Sequence, residues 1–124
     1  MFSETIALTD IHGSTDMTLN RVKQDGYSSE YLLVTDLYEV RLYVRNTERF
    51  DKTRQLAIAR HNVELVETVY PVGAVPSYVR KAFFTFEVQK GDIIASATDI
   101  ARELIQFLTG TSFDTLTKLS NFES

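Results

Sequence analysis

Hydrophobic and polar residues alternate along most of the first ninety positions, with the two-residue period of half-buried β-strands. Residues 4–9 and 15–21 are short alternating runs around the turn-like Asp10-Ile11-His12-Gly13-Ser14, which predicts a hairpin within residues 1–22. Gln24-Asp25-Gly26 marks a second turn. Residues 30–35 and 39–47 flank Asp36-Leu37 as a further hairpin, and longer strands follow at about 58–70 and 77–89, rich in Val, Phe, Tyr and Thr. Connections this short leave no room for crossover helices, so the sheet over 30–89 should be antiparallel.

The period changes after Lys90-Gly91-Asp92. Ser96 can cap a helix, with Asp99 three residues on, and Ile100, Ala101, Leu104, Ile105 and Leu108 then keep helical spacing. Gly110 is placed to end this helix. Ser112 can start a second, with Phe113, Leu116, Leu119 and Phe122 in a narrow stripe, so that residues 96–121 read as two helices. Strands first and helices last predict an α+β fold in a single domain spanning residues 1–124. Two helices of this length cover little of a sheet with such long strands. A second subunit's helices would supply the missing cover, and a dimer is expected.

Alternation also sorts each long strand into two faces. On 39–47, Val40, Leu42 and Val44 point toward the core, while Glu39, Arg41, Tyr43, Arg45 and Thr47 point away. On 58–70, Val63, Leu65 and Val69 are core positions, interrupted by Glu67, and Arg60, Asn62, Glu64 and Thr68 oppose them. On 77–89, Ala82, Phe84, Phe86 and Val88 oppose Lys81, Phe83, Thr85 and Glu87. The face away from the core thus gathers Arg41, Tyr43, Arg45, Arg60, Asn62, Glu64, Lys81, Phe83 and Thr85. Arginines neutralise phosphates, rings stack on unpaired bases, and amides and hydroxyls meet base edges, so this mixture suits single-stranded or looped RNA. A solvated sheet face laced with ion pairs is the alternative reading.

Charge bears on that choice. The chain carries a formal net charge of −4, which taken alone argues against nucleic acid. Its distribution is uneven. Residues 1–39 hold seven acids against two bases, and residues 91–124 hold five against two, but residues 40–60 hold six bases against two acids. Cysteine is absent, which excludes disulfides, thiolate metal sites and cysteine nucleophiles. The longest uncharged run, residues 68–79, is too short and too broken by Pro71, Gly73 and Pro76 to span a bilayer, and the protein is expected to be soluble and made in a cytoplasm.

Candidate chemistry is sparse. His12 sits near Asp10 and Asp16 without a second imidazole, so neither a metal nor a cofactor is expected. His61 lies on the core side of its strand and reads as a satisfied, partly buried histidine. No phosphate loop, nucleophile elbow or metal-binding helix motif appears, and an enzyme is not expected. Pro71-Val72-Gly73-Ala74-Val75-Pro76 links the two longest strands, either as a loop kept from pairing by its prolines or as an apolar contact between copies.

In its element order and in several strings the chain resembles the coat proteins of levivirus-type single-stranded RNA phages. Tyr43-Val44-Arg45-Asn46, Arg60-His61-Asn62-Val63-Glu64 and Pro76-Ser77-Tyr78-Val79-Arg80-Lys81-Ala82-Phe83 carry the likeness along the strands. Residues 24–31 and 60–70 look most like a coat protein from a phage of Caulobacter. The resemblance implies an intertwined homodimer with each subunit's helices crossing the partner's sheet, through Ile100, Leu104, Ile105, Leu108, Phe113 and Leu116. It implies assembly of dimers into a quasi-equivalent (T=3) icosahedral shell in the virion, with residues 71–76 meeting their copies around the symmetry axes. The sheet face away from the helices would bind genomic RNA and, in many members, a hairpin that represses translation. Phe83 stands where relatives often carry tyrosine, and Glu39 where a base is frequent. A non-viral dimeric RNA-binding regulator is the alternative, and a small-molecule enzyme or ligand-binding domain a third.

Overall fold

A computed structural model describes residues 2–9, 11–12 and 17–123. Six strands form one sheet in chain order: β1 (Thr5–Leu8), β2 (Met17–Gln24), β3 (Ser28–Val34), β4 (Tyr38–Asp51), β5 (Leu56–Val69) and β6 (Tyr78–Gln89). A helical segment, α1 (Ile94–Ser120), follows. The α+β class expected from the sequence is therefore present. Internal contacts divide the chain into two compact units. One holds β1–β3 and most of β4–β6. The other holds residues 50–58, the end of β6 and α1.

The turns explain why the strands fold back where they do. Asp25 Oδ1 accepts from the backbone N–H of Tyr27 and Ser28 at 2.9 and 2.8 Å, which closes the β2–β3 turn and holds this carboxyl below its usual pKa. Thr35 Oγ1 does the same for Leu37 and Tyr38 between β3 and β4. Asp51 Oδ1 accepts from Thr53 and Arg54 after β4. These side-chain bonds let β4 continue to Asp51, four residues past its expected end at 47. The expected turn over residues 10–14 lies outside the described residues except for Ile11 and His12.

The register is antiparallel, with Ile6 opposite Leu19, Leu8 opposite Met17, and Tyr31 opposite Leu42. Each pair lies on the same face, and that face forms the core: Met17, Leu19, Tyr31, Val40 and Leu42 are buried against Ile6, Leu8, Ile11, Leu33, Tyr38 and Leu65. The Tyr31 hydroxyl donates to the Ser3 carbonyl at 2.8 Å, so a fully buried ring keeps its polar end satisfied. Val63 and Ala82, expected in the core, are exposed instead. The cover supplied by β1 and β2 lies over β3 and β4 and extends only to Leu65 on β5.

Glu67, read from the sequence as an interruption of the core face, is 7% exposed. It bridges two side chains. His12 Nε2 meets one oxygen at 2.5 Å and Arg80 on β6 donates to the other. Burial raises the carboxyl's pKa, but the bonds from His12 and Arg80 more than offset this and leave it lowered. His61, half-buried as expected, holds Asn46 Oδ1 at 2.7 Å through Nδ1 and packs on Phe86.

α1 departs from expectation at its start. Ile93 is its N-cap, with no side-chain cap bond, and Ser96 lies inside the first turn. Just ahead of the helix, Asp92 Oδ1 accepts from the Ile93 N–H at 2.7 Å. Helical geometry is interrupted where Gly110 was expected to end the helix. Gly110 is extended (φ −59°, ψ 147°), whereas Thr111, Ser112 and Phe113 are left-handed. Ser112 and Phe113 therefore lie in the break rather than in a second helix. Ahead of the break, Ile94, Ala97, Ile100, Ala101, Leu104, Ile105, Phe107 and Leu108 span about 160° of the helix circumference at 3.6 residues per turn. Of these only Ala97, Ala101 and Leu108 are shielded from solvent.

The core predicts a contrast within β2. Leu19→Ala should cost about 2–5 kcal/mol through the cavity it leaves. Thr18→Ala on the exposed face should cost less than about 1 kcal/mol. Denaturant midpoints of the two variants at fixed protein concentration measure the difference.

Candidate nucleic-acid interface

The face of the sheet opposite the core is built by the other half of the alternation. Val40, Leu42 and Val44 are buried, so Arg41, Tyr43, Arg45 and Thr47 must emerge on the far side of β4. Side-chain contacts tie β5 and β6 to the same face. Arg45 Nη1 donates to Glu64 Oε2 at 2.9 Å and to Asn62 Oδ1 at 3.4 Å. Lys81 Nζ approaches Glu64 Oε1 at 3.4 Å. Asn62 Nδ2 donates to Thr85 Oγ1 at 2.9 Å and to the Phe84 carbonyl at 3.4 Å.

These groups line an open depression of about 420 Å³, formed by Arg45, Thr47, Arg60, Asn62, Glu64, Lys81, Phe83 and Thr85. Phe83 is 71% exposed, a bare ring on a sheet surface. Seven of the nine residues singled out from alternation thus come together in one place.

The other two do not line this depression. Arg41 is held between Glu30 and Glu39, two carboxylates for one guanidinium. Tyr43 lies under the guanidinium of Arg45, whose Cζ is 4.3 Å from the ring centroid. It lines a second, smaller depression with Lys23, Ser28, Ser29, Glu30 and Arg45.

Lys23 and Ser28 were missed by the sequence reading, and for Lys23 the reason is local. Arg21 is opposite Tyr31 while Lys23 is opposite Glu30, so two steps on β2 match one on β3. This bulge at Val22 moves Lys23 from the core side to the open side. Strict alternation from Leu19 places it on the wrong face. Thr47 carried the right parity but stands beyond the residues chosen.

The electrostatics of the main depression centre on Glu64. The hydrogen bond from Arg45 lowers its pKa most, and that from Lys81 adds to the effect against partial desolvation. The carboxylate is therefore firmly ionised, and the two cations are oriented around it rather than left to sample solvent. The expected inter-subunit residues are also at the surface. In the 71–76 loop, Val72 and Val75 pair through two backbone bonds of 3.1 and 2.9 Å around Gly73, whose φ of 56° suits glycine. The prolines flank this small turn, and both valines are exposed. On α1, Ile100 (74%), Leu104 (48%) and Ile105 (45%) are exposed, as are Phe113 and Leu116, while Leu108 is half-buried.

No cluster of His, Asp and Glu suited to a metal ion occurs among the described residues. No helix among them is long and apolar enough to cross a membrane. Asp10 and Asp16, considered beside His12, lie outside the described residues.

Comparison with known families makes the class explicit, a structural coat protein: the model described as "Phage phiCb5, coat protein" matches residues 3–89. The chain belongs to the phiCb5 coat protein family, a family of structural proteins located in the virion capsid and assembling with copies of themselves. The match takes in all six strands. No curated protein matches the chain.

Acid titration tests the site's charge arrangement. Glu64 has a folded-state pKa below its ordinary value of 4.5, so its contribution to stability is complete above that value. It drains away as pH falls through the lower folded value. Glu64→Gln should remove this part of the acid limb when denaturant midpoints are followed downward from pH 6, leaving a shallower pH dependence below about 4.5.

Proposed function

We propose that this coat protein forms a homodimer, that dimers close into a quasi-equivalent T=3 icosahedral shell, and that the open sheet face lines the interior and holds single-stranded genomic RNA. The observation that carries the RNA reading is the depression itself. Two arginines and a lysine, an exposed ring, an amide and two hydroxyls converge there around one carboxylate. Cations beside a bare aromatic ring are the combination that single-stranded nucleic acid recognition requires, because phosphate neutralisation and base stacking then act on adjacent atoms of the ligand. Binding a hairpin near a translation start would use the same surface, and translational repression follows from such binding. Assembly would take place in the cytoplasm of the bacterial host.

The helix supports the dimer. Its apolar arc is far wider than the part that is shielded, and Ile100, Leu104, Ile105, Phe107 and Leu116 are left to solvent. Exposed apolar surface of this extent marks an interaction site. In the proposed dimer the segments on either side of the break act as two helices that cross the partner's sheet, and the 71–76 turns meet around the symmetry axes.

Three outcomes are expected. Protein produced in bacteria should appear in negative-stain electron microscopy as uniform spheres with nucleic-acid absorbance. Particles no larger than a dimer, unchanged on adding RNA, would count against the shell. Arg45→Ala combined with Arg60→Ala should weaken binding of single-stranded RNA and reduce the slope of log K against log salt by roughly 1 to 1.5. An unchanged slope would refute the chosen face. Leu104→Asp should yield a soluble, folded monomer in sedimentation, because the side chain it replaces is already half-exposed within the subunit. An intact dimer would refute the helix packing.

A further inference from the structure

Glu64 is out of place on a surface built for phosphate. A carboxylate at the centre of a cation-lined depression repels the polyanion and occupies the charges of Arg45 and Lys81, yet it is held there by both. Its side chain is 16% exposed and it lines the depression, so it can be reached from solvent. Each of its oxygens faces a different cation: Oε2 takes Arg45 at 2.9 Å, and Oε1 takes Lys81 at 3.4 Å. Every carboxylate oxygen has a second lone pair, so both can still accept. Phe83 offers its exposed ring in the same depression.

This row of groups reads donor, acceptor, acceptor, donor: Arg45, the two oxygens of Glu64, and Lys81. Among the four RNA bases, guanine alone presents two adjacent N–H donors, N1–H and the N2 amino group, beside an acceptor, O6, on one edge. The carboxylate can take both donors at once while one flanking cation donates to O6. Cytosine and adenine bring a single amino donor next to a ring acceptor, which faces the second carboxylate oxygen unfavourably. Uracil brings one imino donor between two carbonyls, one of which faces an oxygen. Resting on the RNA reading of this face, we propose that the depression is a guanine-selective base site, in which Glu64 reads the Watson–Crick edge of an unpaired guanine, Phe83 supplies the stacking surface and Arg60 meets the backbone.

The arrangement also accounts for the cations. Arg45 and Lys81 serve as fixed donors that polarise and hold the reading carboxylate, and Arg60 lines the same depression. A carboxylate that only oriented Arg45 and Lys81 would raise or lower affinity for every base alike. A reading carboxylate changes the ranking of bases.

The test uses the full-length protein and short single-stranded oligouridylates carrying guanosine, inosine, adenosine, cytidine or uridine at one central position, with dissociation constants measured by fluorescence anisotropy at fixed salt. Guanosine should bind about tenfold more tightly than inosine, which lacks only the N2 amino group. In Glu64→Gln that preference should collapse to within about twofold while the salt slope is retained. Phe83→Ala should weaken all oligonucleotides and keep the guanosine-to-inosine ratio. The inosine exchange alters the RNA alone, so the wild-type measurement decides the preference even if a variant fails to fold. Wild-type binding that ranks the bases equally overturns the guanine site and leaves the RNA face standing. So does a Glu64→Gln protein that binds every oligonucleotide more tightly by one common factor. Failure of the wild-type protein to bind any of them overturns the RNA reading, and the base preference falls with it.

Discussion

The period of two along β4, β5 and β6 is the constraint on which the rest depends. A strand cannot bury both faces without cover on both sides, and within its own compact unit the hairpin of β1 and β2 covers one face only. The apolar half of the alternation on β4 is spent on that cover: Val40, Leu42 and Val44 are buried. The polar half is thereby fixed in direction and spacing without any further device. Side chains that share a face on neighbouring strands stand close enough for hydrogen bonds, which is how Arg45, Asn62, Glu64, Lys81 and Thr85 become one network although they lie on three strands.

Because alternation sets the site, most of it was legible in the sequence. Parity alone placed Arg45, Arg60, Asn62, Glu64, Lys81, Phe83 and Thr85 on one face, and the structure brings them around one depression. Parity fails wherever the ladder slips. The bulge at Val22 reverses the face of every later β2 residue, and no glycine or proline marks it. Strand ends were misjudged at β4 because the Asp51 turn is fixed by side-chain bonds, which a hydrophobic pattern does not encode. The helix start was misassigned for a similar reason. Ser96 has the chemistry of a cap, but Ile93 holds the capping geometry and Asp92 lies one residue too early to be counted as periodic. The break at residues 110–113 was located by its glycine, yet the left-handed conformations fall on the three residues after it.

Glu67 illustrates a different limit. A charge on an apolar face reads as a flaw when only one strand is visible. Its partners come from 55 positions earlier in the chain and 13 positions later. Together they tie the segment after β1 to β5 and β6 through one buried carboxylate. Removing either partner would leave that charge under-compensated, whereas the full triad is satisfied. The pairing of these three polar residues follows no local rule of sequence.

Charge balance along β4 resolves the conflict between an acidic chain and a polyanionic ligand. Arg41 and Arg45 are four residues apart on the same face, but their surroundings have opposite signs. Around Arg41, Glu30 and Glu39 give two carboxylates to one cation. Around Arg45, one carboxylate, Glu64, is shared with Lys81, so two cations meet one anion, and Arg60 lines the same depression. The formal charge of −4 for the whole chain therefore says little about this surface. At physiological salt, charges farther apart than about 8 Å are largely screened from one another. What a phosphate or a base edge meets is the balance of its own depression. That balance is positive where Arg45 and Lys81 share Glu64, and negative two periods of the alternation away, around Arg41.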